Sequence, residues 1–249
     1  MHFSDLVCQN GLTKGLFLQC TSILRGVQNA LKNQPVWEKG IHIFWLLGPF
    51  ILLIERSPAD IWLSLIGLAF IFRAVARRDG NWLSLAWVRL TFLFWVSCLL
   101  SAALSPLPFY SLGEAFAWIR FPIFAMAIVF WLGRDSRLIY GILLSVGVGM
   151  AVMCLILTAE VLITGYDGQR LSWPYGDLVP GNYLAKVCLP AFVVLVALGA
   201  SAEGRVAGIM AIFAAVSLVA SLLTGERINL LLRVCSGILA AFVWKPRPY

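Results

Sequence analysis

The sequence predicts an all-α fold, a polytopic bundle of about eight transmembrane helices with both termini in the cytoplasm, and three observations carry that prediction. Hydrophobic residues make up 61% of the chain and charged residues 12%; no globule of 249 residues has interior enough to hide that much hydrocarbon from water. The apolar residues fall in long runs joined by short connectors, and most runs approach the roughly 20 residues that a bilayer asks of a helix. The basic residues, finally, gather on alternate connectors, as they do when one side of a membrane retains positive charge.

Residues 1–36 form a separate N-terminal segment, in which Leu12, Leu16, Cys20, Ile23, Val27 and Leu31 recur every three or four positions. That spacing reads as an amphipathic helix on the membrane surface, with a disordered tail as the alternative. Residues 37–249 form the transmembrane domain. Its first two runs, 41–54 and 61–72, are short, but Trp37 anchors one, and Ser57, Pro58 and Asp60 supply the other with a cap, a first-turn proline and an acid, extending it to Ala76. Further spans are expected at 82–104, 112–132, 138–163, 183–200, 206–223 and 228–244. Pro49, Pro122 and Pro190 lie inside spans and should kink them. Gly141, Ser145 and Gly149, and likewise Ala207, Ala211 and Ala215, make small-residue stripes that permit close helix approach.

Twelve Lys and Arg residues fall on the tails and even connectors, against Arg56, Arg170 and Arg227 on the opposite side. The bias places the termini inside and the long loop 164–182 outside. It also accounts for the net charge of +7 without nucleic acid as a partner. Six cysteines lie singly, without CxxC spacing, and read as small core residues.

The stretch from Gly165 to Lys186 is the one long polar interruption, and its prolines and glycines read as turns at a water-lipid boundary. Arginines kept on the side that topology depletes of positive charge need a reason, and a phosphorylated lipid head group supplies one. A guanidinium offers paired N–H donors matched to phosphate oxygens. Arg170 in the loop, Arg227 at the start of the last span, Arg120 near the outer end of the fourth and Lys186 one turn into the sixth are the candidates. The competing readings are a solvated loop residue for Arg170, a local partner in Glu226 for Arg227, and pairing with Glu114 or Glu160 for Arg120. Arg233 lies about 9 Å deeper than Arg227 by helix rise, where an unpaired charge costs about 2.5–3.5 kcal/mol. It must therefore face protein or water, and Asn229 shares its face. Asp167, Asp177 and Glu226 could act as a general base or bind a divalent ion, but no DxD or paired-carboxylate spacing supports a metal, and no P-loop or Rossmann glycine pattern points to a cofactor.

Two of these stretches carry a resemblance. Arg170 to Asn182 follows the pattern Arg-x-x-(W/G)-x-(Y/F)-G followed by an asparagine, and Thr224-Gly225-Glu226-Arg227 forms an outer (T/S)-G-(S/E)-R turn two spans later. From Trp37 to Trp244 the chain resembles the O-antigen ligase and O-antigen polymerase-like membrane proteins of bacterial envelopes. The resemblance implies a metal-independent glycosyltransferase of the bacterial inner membrane, without cofactors. Such an enzyme moves a glycan from a polyprenyl diphosphate carrier to an acceptor such as lipid A-core at the periplasmic face. Arg170 and Arg227 would hold the diphosphate, with Asn182 in the same loop. Family members continue into further spans and a histidine-bearing periplasmic loop, whereas His2 and His42 fall on the cytoplasmic side here. The expectation is therefore the donor-lipid part of such an enzyme: a truncated product, a subunit with a separately encoded C-terminal half, or a branch using Asp167, Asp177 or Glu226. A repeat-unit polymerase, a lipid-linked sugar transporter and an inactive fragment are the alternatives.

Overall fold

The structure, a computed structural model, describes residues 11–243 apart from 55, 166–167, 169, 175–178, 202–203 and 226. At 11–19, 54, 56, 179, 181, 185–186, 198–201, 204–206, 227–229 and 241–243 it describes the backbone alone. Every regular element among the described residues is helical: α1 (Gly11–Lys32), α2 (Val36–Leu46), α3 (Gly48–Ile54), α4 (Arg56–Ala76), α5 (Ala86–Ala103), α6 (Pro108–Trp118), α7 (Arg120–Ala127), α8 (Ser136–Thr164), α9 (Val179–Asn182), α10 (Leu189–Ser201), α11 (Gly204–Leu223) and α12 (Arg227–Val243). Among the described residues, four helices are long and apolar enough to cross a membrane: Ser57–Ala76, Ala86–Ala103, Pro108–Leu132 and Ser136–Thr164. Shorter apolar helices occupy Ala207–Leu223 and Leu230–Ala240.

Each interior proline sits beside a break, because it has no N–H to give the preceding turn. Pro49 follows the break at Leu47 that separates α2 from α3. The carbonyls of Phe44 and Leu46, just before that break, accept from Trp62 Nε1 at 2.8 Å and Ser145 Oγ at 2.6 Å, so lipid need not solvate them. Pro122 lies just past the interruption at Ile119, and Pro190 follows a π turn at Tyr183–Val187.

Three local expectations change. Ser57 is not a cap, since Arg56 is already helical, and Asp60 is instead engaged by Arg120. The span expected from residue 82 opens with a 3-10 turn, Asn81–Ser84, and becomes α-helical at Ala86. The stripe of Ala207, Ala211 and Ala215 is not a packing seam, because Ala211 and Ala215 are exposed while the opposite residue Ser217 is fully buried.

Helix α8 is the mast of the bundle. Asp135 caps it, accepting from Arg137 N at 2.9 Å, and Gly165 ends it at φ 69°, a conformation that a Cβ disfavours. The stripe of Gly141, Ser145 and Gly149 is its packing seam. A Cβ on Gly141 would strike Val27 of α1, and one on Gly149 would overlap the Tyr183 hydroxyl. Helix α1 of the N-terminal segment packs on α8, with Val27 and Ala30 buried.

Two apolar clusters share the mast. The first joins α1, α2, α4 and the π turn Ile128–Leu132 around Ile66, Phe70, Met126, Trp131 and Leu138. The second joins α3, the C-terminal half of α8, α10 and α11 around Met153, Leu157, Leu171, Leu184 and Phe192.

Candidate functional site

The site is built where the chain leaves α8 and returns to it. Beyond α8, residues 170–173 form an irregular strap against the second cluster, which Leu171 joins. Leu171 is the apolar anchor, 6% exposed, and its N–H donates to the carbonyl of Leu223 at 3.1 Å. That bond ties the loop to the end of α11, at the turn that leads into α12.

The turn itself is shaped for the strap. Thr224 is buried, with Oγ1 donating to Ser221 O at 2.8 Å, and Gly225 has φ 76°. A Cβ at Gly225 would stand 2.5 Å from Arg170 Nε and 2.8 Å from its Cδ. Glycine is therefore required twice, by its backbone angle and by the arginine lying over it. Arg170 itself is exposed and forms no ion pair among the described residues. The two stretches singled out in the sequence meet, Arg170 lying over the turn from which α12 starts at Arg227. The Arg227 side chain and all of Asp167, Asp177 and Glu226 lie outside the described residues, as does the Lys186 side chain.

From below, Glu160 holds the strap. This carboxylate, 6% exposed in the last turns of α8, accepts from Ser172 N at 2.9 and 3.1 Å on its two oxygens and from Trp173 N at 3.0 Å. In the sequence it figures only as a possible partner for Arg120. The signal it carried was an isolated acid near the end of a long apolar helix, which must find donors.

Other expected site residues are placed elsewhere. Arg120 does not pair with Glu114, which is exposed, or with Glu160; it reaches Asp60 at 3.1 Å and lies 5.1 Å from the Phe121 ring, on a helix that packs against α4. Arg233 is fully buried, as its depth demanded, but not in a position to meet a ligand. Its Nη1 donates to Ser217 O at 3.0 Å and to Ser217 Oγ, its Nη2 to Leu184 O, and Phe192 lies 5.1 Å away. It is a bolt joining α12, α11 and the π turn. Asn182 is half-buried at the end of α9, immediately before Tyr183, whose hydroxyl donates to Pro49 O at 2.9 Å.

Beneath the strap runs an apolar groove of about 390 Å³ between α8 and α11, lined by Leu157, Val161, Val216, Val219 and Leu223 with Leu171 at its outer end. Within it Thr158 has its hydroxyl donated internally to Cys154 O. Arg170, next in sequence to the groove residue Leu171, and the apolar groove together can hold an amphiphile with an anionic head. No family model, no curated protein and no solved structure matches this chain.

Proposed function

We propose that the chain is an O-antigen ligase-like membrane protein that binds a polyprenyl diphosphate-linked glycan at the periplasmic rim of an eight-span bundle in the bacterial inner membrane. Both termini then lie in the cytoplasm, consistent with the alternation of basic connectors. The observation that carries the reading is the packing of Arg170 over Gly225, which brings one rim arginine onto the turn leading to another. The start of α12 adds free amide N–H groups and the positive end of a helix dipole to the same spot. A diphosphate there would be neutralised as charge grows on it during cleavage of the sugar-phosphate bond. The groove between α8 and α11 supports the same ligand, offering an apolar path for its hydrocarbon tail. The rival reading of a transporter leaned on a deep polar pair, Arg233 and Asn229; the two Nη groups of Arg233 are taken up by protein oxygens.

The test is binding of farnesyl diphosphate to the full chain in nanodiscs. Arg170→Ala and Arg227→Ala are each expected to weaken it by about tenfold or more, with Arg170→Lys recovering only part because the paired donors are lost. Gly225→Ala should reproduce the Arg170→Ala loss by displacing that side chain, and should also cost about 1–2 kcal/mol through its left-handed backbone. Unchanged binding in both arginine variants would remove the assignment.

A further inference from the structure

We infer that Glu160 is a positioning residue for Arg170: the carboxylate grips the main chain of the strap and so sets the guanidinium over the Gly225 turn. The inference rests on the phosphate-binding reading of Arg170 given above.

Three observations converge on it. Glu160 is buried, yet no described cation lies within ion-pair distance of it. Its two oxygens are engaged instead by consecutive main-chain donors, Ser172 N and Trp173 N, with the Ser172 hydroxyl at 3.5 Å. A carboxylate aimed at two amides in a row satisfies groups that lipid or an apolar core would leave unpaired. Those amides begin two residues after Arg170, and between them and the arginine Leu171 bonds to Leu223. The strap is therefore held on two sides, by α8 through Glu160 and by α11 through Leu223, and Arg170 is the first described residue past the grip. Glutamine fills the same space but has only one acceptor oxygen, and its amide group would face an N–H donor. Glu160→Gln therefore loosens the grip while leaving the length and apolar face of α8 intact.

The sign of the effect separates positioning from simple electrostatics. A negative charge near an anion site repels the anion, so neutralising Glu160 for that reason alone would tighten binding. Positioning requires the reverse. The experiment measures farnesyl diphosphate binding to the full chain in nanodiscs for wild type, Glu160→Gln, Arg170→Ala and the double variant, with amide hydrogen exchange across residues 170–174 in each. Glu160→Gln is expected to bind about tenfold more weakly, to add no further loss in the Arg170→Ala background, and to speed exchange at Ser172 and Trp173. Tighter or unchanged binding, or losses that simply add, would overturn the positioning role. Should Arg170→Ala bind the probe like wild type, the phosphate reading falls. Exchange then decides alone whether Glu160 holds the strap, and unaltered exchange at Ser172 and Trp173 would refute it.

Discussion

In the cluster built on α1, α2 and α4, the buried acid Glu38 meets Arg73 at 3.5 Å and also pairs with Arg77, while Arg73 stacks 5.3 Å from the Trp131 ring and His42 hydrogen-bonds Glu38 O at 2.7 Å. In the cluster built on α3, α10 and α11, Glu160 and Arg233 are buried just as deeply, but each is solvated by main-chain groups from other segments. The first arrangement sets one buried carboxylate between two guanidiniums, those of Arg73 in α4 and Arg77 just beyond it. The second spends charge on fastening elements distant in sequence, and it leaves Arg170 above it without an ion partner among the described residues. A guanidinium that shares a buried carboxylate is tied into the packing; one held in place with no acid beside it among the described residues can meet an anion, and the proposed ligand site lies there.

Removing one member of the first region's pair should produce the largest loss. Glu38→Ala leaves Arg73, 11% exposed at its side chain, without its partner, and breaking such a buried pair costs about 3–5 kcal/mol. Thermal melting of the full chain in detergent should register this, and Arg73→Met in the same background should restore part of it. Farnesyl diphosphate binding, if it resides in the second region as proposed, should survive in the fraction that stays folded.

Next in size is Arg233→Met, which sharpens the contrast because no opposite charge is stranded. What is lost are the charged donors to Ser217 O, Ser217 Oγ and Leu184 O, at about 1–3 kcal/mol. The measurement is melting together with hydrogen exchange at the π turn Tyr183–Val187, where protection should fall first. If Arg233→Met proves as costly as Glu38→Ala with no local loosening at that turn, the view of Arg233 as a bolt fails.

The smallest effect belongs to a surface pair outside both clusters. Asp135 caps α8 and bonds the Arg137 side chain, Nη2 to Oδ2 at 2.7 Å, and the guanidinium beside it holds the Asp135 carboxyl below the usual aspartate range. A carboxyl depressed in the folded state stabilises above its unfolded value near pH 4, and that contribution vanishes as pH falls through the lower folded value. Asp135→Asn keeps the capping oxygen and should lower the melting temperature by about 1 °C at neutral pH. The difference between variant and wild type should close in acid.

Much of the fold was legible before any coordinates. Apolar runs gave helices close to the expected positions, and Pro49, Pro122 and Pro190 marked breaks because a missing N–H acts locally whatever surrounds it. The Gly141, Ser145 and Gly149 stripe announced a seam for the same local reason. The stripe of Ala207, Ala211 and Ala215 looked equivalent and was not, because small residues permit close approach without requiring a partner. Arg120 shows the same limit: its charge demanded a partner, but the choice of Asp60 over Glu114 depended on which helix packed alongside.

What the sequence by itself determined is the all-helical character of the described residues, the presence of helices apolar and long enough to cross a membrane, and the residue types at the polar loop, since these follow from composition and from periods of three or four residues. Only the tertiary structure decided that Leu171 bonds to Leu223, that Arg170 lies on Gly225, and that Glu160 turns inward to hold the strap. The physical reason is that those contacts join positions 12 to 55 residues apart, and no local period reaches so far. A buried charge states that it needs a partner, but packing chooses which one.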